Sequence, residues 1–168
     1  MIVLGIDPGT ATTGYGVVRD TESGLESVAY GVITTPPGDS APERLLSIYR
    51  ALQGLLKLHA PATAAVEKLF FQRNVSTAMT VGQARGVALL ALAEAGIPVG
   101  EYNPRDVKQA VCGYGGAGKS QVQHMVRALL NLPDVPRPDD AADALAVAIC
   151  HLNSVAVKSR LDQSEDHP

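Results

Sequence analysis

The chain has 168 residues, enough for one domain with a substantial hydrophobic core. Its net charge of −3 argues, as a total, against nucleic acid as a partner, and no segment is expected to reach the ~20 apolar residues of a membrane span. Cys112 and Cys150 lack Cys-x-x-Cys spacing, which excludes a zinc site or disulfide framework, and the N-terminus lacks the basic region of a signal peptide, so a cytoplasmic protein with reduced thiols is expected.

Ile2-Val3-Leu4-Gly5-Ile6-Asp7 reads as a strand buried on both faces, broken by Pro8-Gly9. Residues 14–20 and 25–33 read as two further strands around a Ser23-Gly24 turn, and such short connections make an antiparallel meander. A helix is expected from Ser40, with Pro42 and Glu43 in its first turn, to about His59; Leu45, Ile48, Leu52, Leu55 and Leu56 share one face. Residues 62–67 form a fourth strand, and residues 69–73 a loop carrying Phe70 and Phe71. A long helix over residues 76–95 has Gly82 and Gly86 one turn apart, leaving a groove for a second backbone and a candidate dimer face. Residues 99–102 form a fifth strand, parallel to the fourth because a helix joins them. Two short helices follow, over residues 104–111 and 119–130, with a glycine-rich loop at 113–118 between them. Asp139 caps a last helix through about Leu152, and the polar tail from 159 to 168 is expected to be disordered, leaving residues 1–158 as one domain.

The chemistry lies in the carboxylates. Asp7 ends a buried strand, where a lone carboxylate is costly unless it is paired or binds a metal. Glu67 ends the fourth strand, and Asp140 and Asp143 are three apart in the first turn of the last helix, so they share a face near the positive end of its macrodipole. Ala141, Ala142 and Ala144 around them let that helix lie close to the sheet, where all four acids would converge. An oxygen-only set suits Mg²⁺ or Mn²⁺, and two such ions can hold a phosphodiester for in-line hydrolysis. The charge pattern supplies the complement. Residues 1–67 carry a balance of −3 and residues 139–168 one of −4, but residues 68–138 carry +4. That middle block offers a phosphate-binding face. Arg73, Arg85 and Arg105 are candidate DNA contacts within it, beside Lys108 and Lys119.

Six ordered motifs resemble the RuvC family of Holliday-junction resolvases over residues 1–153: Gly5-Ile-Asp7-Pro-Gly9, Glu67-x-x-Phe70, Gly82-Gln-Ala-Arg-Gly86, Val107-Lys-Gln109, Gly118-Lys-Ser-Gln-Val122 and Asp140-Ala-Ala-Asp143-Ala-Leu145. The resemblance implies an α/β ribonuclease H-like fold, a five-stranded mixed sheet (three antiparallel strands, then two parallel) flanked by helices. It implies that Asp7, Glu67, Asp140 and Asp143 hold the metal, that Phe70, with Phe71 beside it, probes the junction centre, and that Lys108 and Lys119 contact the DNA backbone near the cut. It further implies a homodimer that nicks a four-way junction symmetrically in recombination and repair. The nicks leave 5′-phosphate and 3′-hydroxyl ends, and the branch-migration proteins RuvA and RuvB are the implied partners.

Three other readings compete, one of them a non-catalytic junction-binding module, for which Asp7→Asn would leave all activity unchanged. Gly113-Tyr-Gly-Gly-Ala-Gly-Lys119-Ser120 satisfies the Walker A pattern, but a P-loop must follow a buried strand and here the preceding residues read as helix. Residues 7–14 resemble the first phosphate loop of actin-like and sugar-kinase ATPases, whose nucleotide sits between two such domains, and this chain has room for one. His59, His124 and His151 lie on helices without a partner motif and read as structural.

Overall fold

The computed structural model describes residues 1–68 and 75–165. Among them are five strands, β1 (Ile2–Asp7), β2 (Thr12–Thr21), β3 (Gly24–Thr34), β4 (Thr63–Glu67) and β5 (Val99–Tyr102). The five helices are α1 (Ala41–His59), α2 (Val75–Glu94), α3 (Pro104–Cys112), α4 (Lys119–Leu129) and α5 (Asp139–Glu165). The strands form one sheet in the order β3-β2-β1-β4-β5. The meander β1-β2-β3 is antiparallel, and β4 and β5 join parallel to β1, which is the expected mixed sheet.

Strand periodicity sends alternate residues of β1 to opposite faces. Leu4 and Ile6 pack with Ile48, Leu52 and Leu56 of α1 and Ala84, Ala88 and Leu92 of α2. Val3 packs with Val107 of α3, Val122 and Val126 of α4, and Leu145 and Ile149 of α5. Each large side chain so buried contributes about 1.5–3 kcal/mol relative to exposure. The start of α1 falls at the expected Ser40 and carries a capping box: Glu43 accepts from the Ser40 backbone N–H at 2.8 Å and from its hydroxyl at 2.6 Å.

The helix α5 lies unusually close to the sheet. A Cβ at Gly5 would strike the Ala144 carbonyl, and one at Gly14 the Asp140 carbonyl. Bare backbone at these two positions is what lets α5 rest on β1 and β2. A second tie crosses the sheet. The Thr63 hydroxyl donates to the Pro98 carbonyl at 2.9 Å, so its oxygen accepts from Nε2–H of His151 at 3.0 Å. Nδ1 is then left to accept from the Tyr102 hydroxyl at 2.8 Å. His151 is buried in this chain of bonds, as its structural reading expects, and burial pulls its pKa down toward the neutral form that the bonds require.

Two expectations need correction. The last helix does not stop near Leu152, and the tail expected to be disordered from residue 159 is helical through Glu165, because no glycine or proline interrupts residues 139–165. Also, Asp139–Lys158 does have the length and mean hydropathy of a membrane span, but 61% of that stretch is buried inside this fold, as in the core helix of a globular protein.

Gly5→Ala and Gly14→Ala should each lower stability by about 1–3 kcal/mol through overpacking. Gly54→Ala should raise it by roughly 0.5–1 kcal/mol, because Gly54 is exposed on α1 with nothing within 4 Å of an added Cβ. Urea-melt midpoints check both. An unaffected Gly5→Ala would contradict this account of the α5 contact, and a destabilised Gly54→Ala would contradict the open surface assigned to Gly54.

Candidate active site

The four carboxylates are delivered by three elements. Asp7 ends β1 and Glu67 ends β4, and these neighbouring strands run parallel, with Ile6 opposite Val66, so both acids leave the same sheet end. Asp7 pairs with Gly14 across the β1–β2 ladder, and the backbone of Asp140 lies directly over Gly14. Asp143 follows one turn further along α5. The close glycine contact is therefore what sets the helical acids over the strand-end acids.

The electrostatics register the gathering. Burial pushes the Asp7 carboxyl up to about 8 from an ordinary 3.8, and the charges of Asp143, Glu67 and Asp140 push the same way. Glu67 is raised by burial and by Asp143, against the opposing charge of Lys108. Asp143 is raised by burial, with Lys119 opposing. Glu67 and Asp143 line a cavity of about 240 Å³ together with Lys108 and Lys119, so both predicted lysines reach the acids.

The Lys119 ammonium sits 3.3 Å from Asp143 Oδ2 and 3.3 Å from Asp139 Oδ2. Burial works against its charge, but Asp143 and Asp139 outweigh that and hold it above its usual pKa. Asp139 also accepts from Arg137 and from the buried Gln123, both at 2.9 Å. Asp139 was not anticipated as more than a helix cap, and it is here a relay between Lys119 and two further donors. Its only signal in the sequence is its place next to Asp140.

The oxygens share one basin without closing into a ligand cage. Among the described residues no three of His, Cys, Asp and Glu stand at the spacing of one ion's ligands. The donor set nevertheless fits a hard divalent cation: it is all carboxylate oxygen, and it holds at least one half-buried acid whose neighbours penalise its negative charge.

The other predicted DNA contacts separate. Arg105 is exposed on α3, its stem against Gly115 of the glycine-rich loop. Arg85 is turned inward: its Nε donates to the Glu67 carbonyl at 3.3 Å, and it pairs with Glu101. Phe70, Phe71 and Arg73 lie outside the described residues. The Walker A look-alike follows helix α3, which ends at Cys112, and its lysine faces Asp139 and Asp143, so a P-loop is excluded.

Comparison with known proteins gives the family and the fold. The family model for crossover junction endodeoxyribonuclease RuvC matches residues 3–151. A crossover junction endodeoxyribonuclease RuvC from Chloroflexus aggregans is 60% identical over 164 residues, covering 98% of this chain and 100% of the relative. The solved structure of Thermus thermophilus RuvC is 40% identical and superposes with a TM-score of 0.88, covering 94% of this chain and 97% of that one. The T. thermophilus RuvC in complex with Holliday junction substrate is also 40% identical, with a TM-score of 0.89 over 94% of this chain and 96% of that one.

The raised Asp7 pKa carries a stability consequence with a definite sign. Between pH 4 and pH 8 the folded chain holds a proton that the unfolded chain has released, so the stability tied to this group falls as pH rises through that window. In EDTA, Asp7→Asn should therefore melt progressively higher than the wild type from pH 5 to pH 8, by about 2–4 °C per kcal/mol gained. Added Mn²⁺ at pH 8 should stabilise the wild type more than the variant. A wild type that keeps pace with Asp7→Asn across the range would contradict the electrostatic strain assigned to Asp7.

Proposed function

This chain belongs to the RuvC family of crossover junction endodeoxyribonucleases, and on that premise we propose that it resolves four-way DNA junctions by metal-dependent hydrolysis, with Asp7, Glu67, Asp140 and Asp143 as its metal-binding acids. The observation that carries the reading is the meeting of Asp7, Glu67, Asp140 and Asp143 at one sheet end, with Lys108 and Lys119 on the cavity beside them. Mg²⁺ or Mn²⁺, two ions per site, would supply a nucleophilic hydroxide near neutral pH and stabilise the leaving oxygen. The side chains of this protein do the rest. Asp7, the acid most affected by its neighbours, is poised to be ionised by a bound cation. Lys108 and Lys119 place point charges where phosphates flanking the scissile bond would lie. Phe70, with Phe71 next to it, is assigned to the unpaired bases at the junction centre, where an aromatic can stack or wedge. Of the arginines, Arg105 keeps an exposed position for the DNA backbone, and Arg73 is retained as a contact by its place in the sequence.

The partner is four-way junction DNA, and the protein acts on it as a homodimer, because such a junction has a two-fold axis that a C₂ dimer matches. The outward face of α2 supports this reading: Met79 and Leu90 are 64% and 60% exposed, and Gly86 between them has nothing within 4 Å of an added Cβ. Two active sites so related would make paired nicks with ligatable 5′-phosphate and 3′-hydroxyl ends. Family membership brings RuvA and RuvB in as the proteins that deliver the junction.

Asp7→Asn, Glu67→Gln and Asp143→Asn should each slow cleavage of a synthetic four-way junction by ~10²-fold or more while leaving junction binding within a few-fold. Near-normal cutting by any one of them would remove that residue from the site. Lys108→Ala and Lys119→Ala should each reduce the slope of log Kd against log salt by about 1. Leu90→Glu should shift the protein to monomer in sedimentation and uncouple the two nicks. A dimer unaffected by Leu90→Glu would move the interface off this face of α2.

A further inference from the structure

The carbonyl of Glu67 occupies an irregular place in the sheet. The β1–β4 ladder ends at Ile6 opposite Val66, and the chain of β1 then runs into Pro8, which has no N–H to extend it. On the other side, β4 stays tied to β5, where the Lys68 N–H donates to the Tyr102 carbonyl at 2.8 Å. The last peptide of β4 therefore lacks β1 as a donor at the residue whose carboxylate enters the cavity with Asp143.

Arg85 fills that gap from outside the sheet. It sits on α2 beside Ala84, which is completely buried against the sheet, so its turn of helix is pinned. Its Nε donates to the Glu67 carbonyl at 3.3 Å, and its Nη2 pairs with the Glu101 carboxylate. Glu101 lies on β5 directly opposite Val66, so one guanidinium spans α2, the end of β4 and β5. The Arg85 side chain is only 20% exposed, against 57% for Lys119. A cation already engaged twice and mostly covered is badly placed to meet a DNA phosphate. Its donors form a rigid planar fork, which suits it to hold a carbonyl and a carboxylate in fixed relation.

We propose that Arg85 is a positioning residue for Glu67: anchored by Glu101, it fixes the last peptide of β4 and so the direction in which the Glu67 carboxylate leaves the sheet. The residue acts through Glu67 and touches no DNA. This assignment rests on the junction-cleaving function proposed above, in which Glu67 is one of the four acids.

The test separates rate from binding. Wild type, Arg85→Ala, Arg85→Lys and Glu101→Gln are compared on a synthetic four-way junction. Single-turnover cleavage is measured with Mg²⁺, and Kd is measured with Ca²⁺ across a salt series. Arg85→Ala should cut ~10–100-fold more slowly once the junction is bound, because a displaced catalytic group loses rate rather than affinity. Its Kd should stay within about twofold of wild type and its salt slope should not change. Arg85→Lys keeps the charge but not the fork, and should remain slow with a normal Kd. Glu101→Gln should show a smaller loss of rate in the same direction, and it carries the test if Arg85→Ala melts too low to assay. Overturning results are Arg85→Lys cutting at the wild-type rate, or Arg85→Ala binding more weakly with a salt slope reduced by about 1 and a normal bound-state rate, which would make Arg85 a phosphate contact. A wild type that cuts no junction at all would bring down the nuclease function itself, and this inference with it.

Discussion

A helix resting on bare glycine backbone is the contact on which the rest of the molecule depends. α5 can approach β1 and β2 as closely as it does because Gly5 and Gly14 present no side chain toward it. That approach sets Asp140 and Asp143 over the end of β1, and parallel pairing of β1 with β4 sets Glu67 beside Asp7. The hydrophobic core on both faces supplies the stability that makes this tolerable. The same packing that stabilises the fold forces like charges together, and Asp7 shows the strain most clearly, with its carboxyl held near 8. An arrangement unfavourable to the bare protein is favourable to a bound divalent cation, since the cation removes the penalty that folding created.

The nearby cations divide into two kinds, and exposure decides which is which. Lys119 is 57% exposed and its ion pairs with Asp139 and Asp143 are screened by water, so together they are worth little, on the order of 1 kcal/mol or less each. Such a cation can exchange a carboxylate for a phosphate at small cost when DNA arrives. Arg85 is mostly covered and bonded to a backbone carbonyl as well as to Glu101. Removing it from that place would leave a strand-end carbonyl without its donor, so its role is fixed in the fold. The basic block of residues 68–138 is therefore not one uniform face toward nucleic acid; part of it holds the sheet end together.

Much of this was legible in the sequence, for identifiable reasons. The apolar run ending in Asp7, the helix start at Ser40, and the Asp140/Asp143 pair are local patterns with local physics, and the five strands follow from alternation and turn residues. Partnerships between distant positions were not legible. His151 bonds to Thr63, 88 residues away, and Arg85 to the Glu67 carbonyl, 18 away, and neither pairing leaves a periodicity in either segment. Arg85 read as a DNA contact because its charge is visible in the sequence and its burial is not. The end of α5 was misplaced because polarity after Leu152 suggested a tail, although helix propensity there never fails before Glu165.

The loop after Asp7 shows how one motif can serve two chemistries. Pro8-Gly9-Thr10-Ala11-Thr12-Thr13 resembles a nucleotide-binding phosphate loop, in which hydroxyls and backbone N–H groups would face a ligand. Here several of its polar groups are engaged within the protein. The buried Thr13 hydroxyl donates to the Gly9 carbonyl at 2.6 Å, and its oxygen faces the Gly9 N–H at 3.3 Å. Thr35, also buried, donates to the Thr10 carbonyl at 2.6 Å, while its own N–H bonds to the Ala11 carbonyl at 3.1 Å. Those bonds clamp the loop against β2 and the end of β3, leaving it little freedom to fold around a phosphate chain. They also hold the backbone on the far side of Asp7, as the β1 ladder holds the near side. A carboxylate with three acidic neighbours and no such clamp would relieve its repulsion by swinging away; one fixed on both sides must keep it, and so remains ready for a cation.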